Sequence, residues 1–256
     1  MKHWIVNLVF FMLLVTMGIY ANGHTMHWGW FFCAGLVWLS VVMVGSSFIW
    51  SQYHVKAYLG NPIEKDRKVS LTFDDGPSLF TPRVLDLLKK FNVRATFFCI
   101  GKNVDAYPEI AKRIVTDGHL IGNHSYSHSK TFDFFGPGRI TLELQQTDAA
   151  IQNATSLRPR FFRPPYGITT PNIRRAIRRT KHDVIGWNIR SNDGISSNEK
   201  AILQRIESRL KPGGIILMHD TSEVSVSVLE QLLLSLRRQN FNVVPVTELL
   251  NLKAYE

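Results

Sequence analysis

Two adjacent carboxylates, Asp74 and Asp75, end an apolar stretch that starts at Val69, and Gly76 and Pro77 follow directly. Because side chains alternate between the two faces of a strand, neighbouring aspartates can serve one site only where the strand stops. Glycine tolerates positive φ and proline fixes φ without offering an N–H, so this dipeptide predicts a turn. The carboxylates could bind a metal ion or act as a base, or they could simply cap backbone amides in the turn.

A pair of histidines, His124 and His128, lies four residues apart in a polar segment. On a helix or a tight helical turn, residues at this spacing share one face and can bind one ion together. Two imidazoles and one carboxylate form a three-ligand shell that leaves room for water and substrate, as catalytic sites do. A chance pair is not rare in a chain with nine histidines, so the interpretation of this pair as metal ligands depends on the two aspartates as well. Together these residues predict a hydrolytic metal site.

Further motifs resemble the polysaccharide deacetylase family, also called NodB-homology or carbohydrate esterase family 4 enzymes. The family is marked by five motifs in a fixed order: Thr-Phe-Asp-Asp-Gly-Pro, His-Ser/Thr-x-x-His, Arg-Pro-Pro-Tyr-Gly, an Asp-Trp region and Leu-x-His. The corresponding positions in this chain are Thr72 to Pro77, His124 to His128, Arg163 to Gly167, Asp193-Gly194 and Leu217 to His219. The resemblance covers about residues 68 to 250, and five ordered motifs are a specific signal where one alone would be weak.

The resemblance implies a division of labour between the aspartates. It implies that Asp75, His124 and His128 hold a divalent metal ion and that Asp74 is the general base. It implies that Arg163 pairs with this base and orients it, against the plainer reading of Arg163 as a surface ion pair. The backbone N–H of Tyr166 is implied as a donor to the oxyanion of the tetrahedral intermediate.

His219 ends a second apolar run, which starts at Gly214 and predicts a buried strand. The resemblance implies that His219 is the general acid that protonates the leaving amine, and that Asp193 keeps it charged. Asp220 competes for the role of partner, although Asp193 lies in the matching motif. The chain departs from the family at Gly194, where a tryptophan often forms one wall of the acetyl pocket. Trp187 either replaces that wall or belongs to the core.

The reaction implied is the hydrolysis of N-acetyl groups from N-acetylated amino sugars, a hydrolase reaction on a non-peptide carbon–nitrogen bond of a linear amide. The substrate is a glycan such as peptidoglycan or a chitin-like oligosaccharide, with a lipid-linked or lipopolysaccharide amino sugar as the alternative. An inactive glycan-binding homologue is disfavoured because the implied base and acid are both present. Zinc suits a ligand set of two histidines and one aspartate, which also admits cobalt, nickel or manganese.

The first 50 residues contain two apolar runs without Asp or Glu, at about residues 5 to 21 and 28 to 50. The second is long enough to span a bilayer and the first is at the lower limit. Trp28, Trp30, Trp50 and Tyr53 cluster near the ends of the second run, as interfacial aromatics do. A cleaved signal peptide is the rival for the first run, but its cleavage signal is poor. The runs therefore predict a transmembrane helical hairpin that contacts the lipid bilayer.

The orientation of this hairpin is predicted differently by two signals. Lys56, Lys65, Arg67 and Lys68 follow the second run, and the positive-inside rule would place them in the cytoplasm. The family resemblance implies a substrate outside the inner membrane of a bacterium. We expect an anchored domain that faces the periplasm or the cell exterior.

Short apolar segments alternate with amphipathic ones over the rest of the chain, which predicts a parallel α/β sheet. Strands are predicted near residues 69–73, 95–100, 119–121, 160–163, 183–187, 214–219 and 242–245, and helices near 82–91, 104–117, 140–153, 172–179, 198–210 and 224–239. The resemblance implies a distorted (β/α) barrel of about seven strands, with the motifs at carboxyl ends. The expected organisation is a membrane anchor (1–55), a linker (56–67) and one catalytic domain (68–256).

The net charge is +10, and it lies almost entirely outside the two apolar runs. The densest cluster, between Arg174 and Lys181, predicts a solvated helix face, or attraction to anionic lipid or an acidic glycan. No zinc-finger spacing and no basic-aromatic interleaving accompany it, so nucleic acid is not an expected partner. Cys33 and Cys99 lie in such different segments that a structural disulfide is not expected. The sequence does not determine the oligomeric state.

Overall fold

The architecture was examined in a computed structural model that describes residues 2 to 256. Two long helices, α1 (His3–Gly23) and α2 (Gly29–Ser47), come first and pack against each other as a hairpin. The Trp38 indole N–H donates to the Asn7 side chain at 3.0 Å between them. Both helices are long and apolar enough to cross a membrane, and neither is covered by the rest of the protein. At 1.5 Å per residue each is about 30 Å long, which matches a hydrocarbon core.

The remainder is built on one parallel sheet. Its strands are β1 (Lys68–Asp74), β2 (Thr96–Cys99), β3 (Leu120–Asn123), β4 (Phe161–Phe162), β5 (Asp183–Val184), β6 (Ile189–Arg190), β7 (Gly214–His219) and β8 (Asn242–Val243). Seven strands lie in the order β5-β4-β3-β2-β1-β7-β6, and β8 pairs with the beginning of β1. All these pairs are parallel. The prediction of a distorted, incomplete barrel of about seven parallel strands is confirmed.

Helices follow most strands and cover the sheet. They are α3 (Thr81–Lys90), α4 (Gly101–Ala106), α5 (Pro108–Thr116), α6 (Pro137–Thr155), α7 (Pro171–Thr180), α8 (Glu199–Glu207), α9 (Glu223–Arg238) and α10 (Val246–Leu250), with short 3₁₀ turns at Ile49–Ser51, Phe132–Phe134 and Pro165–Gly167. Side chains on both faces of β1 and β7 are buried, which explains why these strands are continuous apolar runs. The largest core cluster joins them to α3, α5 and α9.

Two element predictions differ clearly from the structure, and one strand and one helix were not predicted. The helix expected near residues 104–117 is two helices, α4 and α5, because Pro108 cannot continue a helix and restricts Tyr107 before it. The strand expected near 183–187 ends at Val184, and the chain then crosses the barrel to form β6 on the opposite edge. Strand β6 and helix α10 were not predicted, because two and five residues are too short to show a period.

Residues of the expected linker lie in the gap between the two sheet edges. Tyr58 pairs with Ile185 beyond β5, and Gly60 pairs with Gly214 at the start of β7. The Thr169 N–H donates to the Ser46 carbonyl at 3.0 Å, and this hydrogen bond holds the hairpin against the α/β part of the protein. The end of α2 therefore contacts the loop that follows the Arg163 to Gly167 motif.

Candidate functional site

The predicted site residues come together at the carboxyl ends of the strands. Asp74 ends β1 and His219 ends β7, and the two are direct partners in the register of these adjacent strands. His124 follows β3 and Arg163 follows β4, on the same side of the sheet. Carboxyl ends of parallel strands are where such barrels form sites, so the sheet order alone brings distant motifs together.

Asp74 and Asp75 face one cleft because of the backbone conformation at Asp75. This residue has φ of 73°, in the left-handed region that non-glycine residues rarely adopt. The alternation of a strand therefore ends at Asp75 itself, one residue before the glycine that the sequence suggested. Gly76 is needed for a different reason, since a side chain there would collide with the buried carboxylate of Asp220.

Asp75, His124 and His128 form a compact trio of possible metal ligands. Oδ1 of Asp75 lies 3.4 Å from Nε2 of His124 and 3.3 Å from Nε2 of His128. The ligand atoms of all three lie within 4.8 Å of one another, the one such group found within residues 2 to 256. The expected helical turn is wrong, because residues 124 to 128 form a loop in which Ser125 and His128 have positive φ. The loop still brings the rings to 4.9 Å between centroids.

Hydrogen bonds prepare His124 for a metal ion. Its Nδ1 lies 2.7 Å from the Arg163 carbonyl oxygen, which can only accept, so Nδ1 carries the proton. In the neutral ring Nε2 then presents a lone pair toward Asp75. Burial lowers the pKa of His128 to about 4. The His128 imidazole is thus neutral at neutral pH, as a ligand must be.

The electrostatics of Asp75 also fit a cation. Burial would raise its pKa, but the imidazoles of His124, His128 and His219 hold the pKa well below its ordinary range. Its Oδ1 is a buried oxygen without a hydrogen-bond partner. An unpaired buried carboxylate oxygen is costly unless a cation satisfies it, so the trio fits a divalent metal ion.

Arg163 is fully buried beneath the cleft and holds Asp74. One terminal nitrogen donates to Oδ1 of Asp74 at 2.7 Å and to the Thr72 hydroxyl at 2.8 Å. The other guanidinium nitrogens donate to the carbonyls of Ile185 and Gly186, in the segment that crosses the barrel. Arg163 is therefore not the surface ion pair of the plainer interpretation.

His219 takes Asp193 as its partner, and Asp220 is excluded. Nδ1 of His219 lies 2.8 Å from Oδ1 of Asp193, whose other oxygen accepts from the His219 backbone N–H. Burial would lower the pKa of His219, but the hydrogen bond and charge of Asp193, with the charges of Asp74 and Asp75, raise it to about 9. Asp220 lies fully buried behind the turn and accepts from the Thr81 hydroxyl.

The cleft above these residues has a volume of about 230 Å³. Tyr166 and Trp187 line it together with the trio, Asp74 and His219. Tyr166 has φ of 58°, and its backbone N–H has no acceptor among residues 2 to 256. Trp187 lines the cleft and also packs on the core, and a side chain at Gly167 would collide with its ring. At Gly194 a Cβ would lie 3.1 to 3.4 Å from the His219 imidazole, so glycine leaves that ring uncovered.

Several supporting residues were missed by the sequence analysis. Glu143 on α6 accepts from the backbone N–H groups of Tyr126 and Ser127, which fixes the loop between the two histidines. The Ser191 and Ser225 hydroxyls donate to Asp193. The one available signal was a glutamate on the buried face of α6, since serines are too common to mark a site.

Comparison with known proteins assigns the family. A family model described as polysaccharide deacetylase matches residues 62–185. Peptidoglycan-N-acetylglucosamine deacetylase of Bacillus cereus is 33% identical over 202 residues, which cover 77% of this chain and 72% of that protein. Chitooligosaccharide deacetylase of a Bradyrhizobium strain is 32% identical, over 72% of this chain and 90% of that protein. The chain belongs to the polysaccharide deacetylase family.

The solved structures agree with this assignment. A crystal structure of the Bc1960 peptidoglycan N-acetylglucosamine deacetylase, in complex with an N-oxidanyl-benzamide, superposes with a TM-score of 0.72 at 31% identity. The match covers 77% of this chain and 94% of that one. Some longer relatives are matched over only 39% to 40% of their length. The family is one of hydrolases that remove acetyl groups from glycans, and the implied family of the sequence analysis is confirmed.

Proposed function

We propose that this protein hydrolyses the N-acetyl group of N-acetylated amino sugars in a glycan and releases acetate, with Asp74 as base and His219 as acid. The observation that carries the proposal is the placement of these two residues. Asp74 and His219 end adjacent strands in direct register. Asp75, His124 and His128 line the same cleft. A base and an acid beside one ligand set are what amide hydrolysis requires.

Asp75, His124 and His128 would hold a divalent metal ion, for which zinc is the first candidate. Such an ion supplies Lewis-acid stabilisation of the acetamide oxygen and makes water easier to deprotonate. The support is the unpaired Oδ1 of Asp75 and the lone pair that His124 presents toward it. Glu143 keeps the histidine loop in place, so it acts as a positioning residue.

Asp74 removes a proton from the attacking water through its carboxylate. Arg163 fixes this carboxylate through Oδ1, which leaves the other oxygen available to the proton. The Tyr166 N–H donates to the oxygen of the tetrahedral intermediate; Tyr166 lines the cleft, and its N–H lacks a protein acceptor. Fixed donors of this kind stabilise charge without reorganisation during the reaction.

His219 protonates the leaving nitrogen as the carbon–nitrogen bond breaks. Its raised pKa keeps the imidazole charged at neutral pH, because the negative charge of Asp193 stabilises the protonated imidazole. The Nδ1 contact with Asp193 leaves Nε2 directed toward the cleft, where it lies 3.9 Å from Asp75. After proton transfer the products are acetate and a free amine on the sugar.

The glycan that we propose is peptidoglycan or a chitin-like oligosaccharide, because relatives of this chain are named for these substrates. We further propose that residues 1–55 anchor the protein in a bacterial inner membrane, with 56–67 as linker and 68–256 as the catalytic domain. The support is the length and exposure of α1 and α2, which a signal sequence would also show in part. The expected side is the periplasm or the cell exterior, where such glycans are found.

The test is acetate release from an N-acetylglucosamine oligomer by the purified full-length protein. Release should be abolished by a chelator, restored by zinc, and lost in Asp74→Asn, which keeps the shape of the carboxylate without its basicity. Asp66→Asn, an exposed carboxylate near the start of β1, is the matched control and should retain activity. Full activity of Asp74→Asn would refute the assignment of the base.

A further inference from the structure

A second cavity continues from the catalytic cleft toward the membrane helices. It has a volume of about 540 Å³ and shares Tyr166, Trp187 and Arg190 with the cleft. Its opposite wall is formed by Phe48 and Trp50, directly after the end of α2. The cavity is therefore bounded on one side by the site and on the other by the segment that leaves the hairpin.

The wall between these ends is strongly basic. Arg190, Arg205 and Arg209 line the cavity, and no carboxylate within residues 2 to 256 lies within 4.0 Å of their guanidinium groups. All three arginines line this one cavity, Arg205 as a half-buried side chain and Arg190 and Arg209 as exposed ones. Guanidinium groups that line an open cavity without a carboxylate partner are suited to an anion, and their planar forks match phosphate oxygens.

Arg205 connects the basic wall to the catalytic cleft. The Asn192 amide oxygen, turned toward the guanidinium, accepts from Nε and from a terminal nitrogen of Arg205 at 3.2 Å each. Asn192 itself lines the cleft that contains Asp74 and His219. An anion bound by these arginines would therefore lie close to a sugar in the cleft, on the other side of the Arg205–Asn192 contact.

The other end of the cavity lies at the expected membrane surface. Phe48 is 47% exposed and Trp50 is 59% exposed, and their rings stack on each other. Aromatic residues next to an apolar helix of this length prefer the interface between lipid and water. The Ser46–Thr169 hydrogen bond holds the end of α2 beside the loop that follows Tyr166, so the end of the hairpin lies near the active site.

We propose that the substrate is an N-acetylated amino sugar joined through phosphate to a membrane lipid. The sugar occupies the cleft, the phosphate contacts Arg190, Arg205 and Arg209, and the lipid chain leaves past Phe48 and Trp50 into the bilayer. This inference rests on the proposed deacetylation, and it replaces the glycan polymer proposed from the relatives' names by a lipid-linked sugar that carries the same acetamide. The reaction is unchanged: water adds to the acetamide carbon, the carbon–nitrogen bond breaks, and acetate and an amine-bearing lipid-linked sugar form.

The charge of the wall favours this substrate over a neutral glycan strand. A neutral oligosaccharide would offer hydroxyl and amide groups to the arginines and would leave their charges uncompensated. A phosphate or diphosphate group compensates them directly and is the acidic group found where a sugar is attached to a lipid. The enzymes that supply this substrate must therefore transfer a sugar phosphate or a sugar to a lipid phosphate.

The test compares three substrates with the zinc-loaded full-length protein in nanodiscs of zwitterionic phospholipid. They are N-acetylglucosamine linked by diphosphate to a short prenyl chain, N-acetylglucosamine 1-phosphate, and a neutral N-acetylglucosamine tetramer. We expect kcat/KM to be highest for the lipid-linked sugar by about tenfold or more, the effect of one charge-assisted contact. The double variant R205Q/R209Q should lower the ratio of lipid-linked to neutral activity by a similar factor, mainly through KM. R205K/R209K, which keeps the charge, should restore part of this ratio.

The control is Arg238→Gln, an exposed arginine on α9 that lines neither cavity and should leave the ratio unchanged. If the tetramer is hydrolysed and the arginine variants change both activities equally, the phosphate site is refuted while the deacetylase function stands. If the variants only weaken binding to vesicles with anionic phospholipid, the arginines contact bulk lipid and the proposal is wrong. If no substrate releases acetate, the proposed function itself fails. Preference for the sugar phosphate without lipid would refute the lipid carrier.

Discussion

Arg163, which is completely buried, donates a 2.7 Å hydrogen bond to Oδ1 of Asp74 at the bottom of the cleft. The same guanidinium is held by the Thr72 hydroxyl and by two carbonyls of the segment that crosses the barrel. One side chain therefore joins the strand that carries the proposed base to the segment that closes the sheet. Such a pair contributes to both the folded state and the orientation of the carboxylate.

Replacing Arg163 should affect stability and activity together. Arg163→Ala leaves Asp74 buried without its cation, which typically lowers the free energy of unfolding by about 3 to 5 kcal/mol. Arg163→Lys should fold better but lose most of kcat, because one ammonium group cannot bond Asp74 and both carbonyls. Denaturant unfolding and acetate release measure the two effects. Arg238→Ala, an exposed control, should change unfolding by less than about 0.5 kcal/mol. A fully active Arg163→Ala would contradict the orienting role.

The metal trio makes a prediction that does not depend on activity. Asp75→Ala, His124→Ala and His128→Ala should each reduce bound zinc, as measured by elemental mass spectrometry after dialysis. Glu143→Gln should weaken zinc binding about 10-fold or more, the usual effect of losing a group that supports ligands. His24→Ala, which alters an exposed histidine between α1 and α2, should bind zinc normally. Stoichiometric zinc in His128→Ala would exclude that residue as a ligand.

The pH dependence follows from the His219–Asp193 pair. His219 has its pKa raised to about 9, so it stays protonated at neutral pH and kcat/KM should fall as the pH rises through about 9. Asp193→Asn removes the charge that raises this pKa, so the alkaline limb should move to lower pH by about one unit or more. Rate profiles from about pH 5 to about pH 10 measure the limb, because they span both the ordinary range of histidine and the raised pKa of His219. An unmoved limb would assign it to another group.

The same shift has a consequence for stability. A histidine whose pKa is higher when folded stabilises the protein fully below its ordinary pKa of 6.5, and this contribution is lost as the pH rises through about 9. In Asp193→Asn the free energy of unfolding should depend less on pH across that interval. Urea denaturation at several pH values measures the difference.

Trp187 is expected to form the wall of the cleft that Gly194 does not supply. Trp187→Ala should raise KM several-fold with a smaller effect on kcat, because the ring lines the cleft but offers neither a metal ligand nor a group that transfers a proton. Trp187→Phe keeps a flat apolar wall and should be close to the parent enzyme. Substrate titrations with an N-acetylglucosamine oligomer separate the two constants. A large loss of kcat with unchanged KM would place Trp187 in the chemistry.

The orientation of the hairpin can be measured directly. With both ends on one side, a C-terminal phosphatase reporter should be active and a C-terminal fluorescent reporter inactive if the domain lies outside the cytoplasm. Lys56, Lys65, Arg67 and Lys68 favour the opposite result by the positive-inside rule. Replacing these four with Gln is the informative variant, because it should strengthen export if they oppose it. A signal only from the cytoplasmic reporter would reverse the proposed side.

Much of the fold was predictable because its signals are local. The apolar runs of β1 and β7 are buried on both faces, and alternation with amphipathic helices predicts a parallel sheet. The break between α4 and α5 was missed although Pro108 marks it, and β6 was too short to detect. The helical turn predicted at His124 was wrong, because spacing in sequence also permits a loop held by Glu143.

The sequence by itself determined which residue types are available, their order, and the family that they resemble, because motifs and hydrophobic periods are properties of short segments. Only the tertiary structure decided that Asp193 and not Asp220 holds His219, since that choice depends on the direction in which buried side chains point. It likewise decided that Asp75 turns toward His124 through a left-handed backbone. Contacts between residues far apart in the sequence, such as Asp74 and Arg163 at 89 positions, depend on the order of the strands in the sheet. That order cannot be read from short segments.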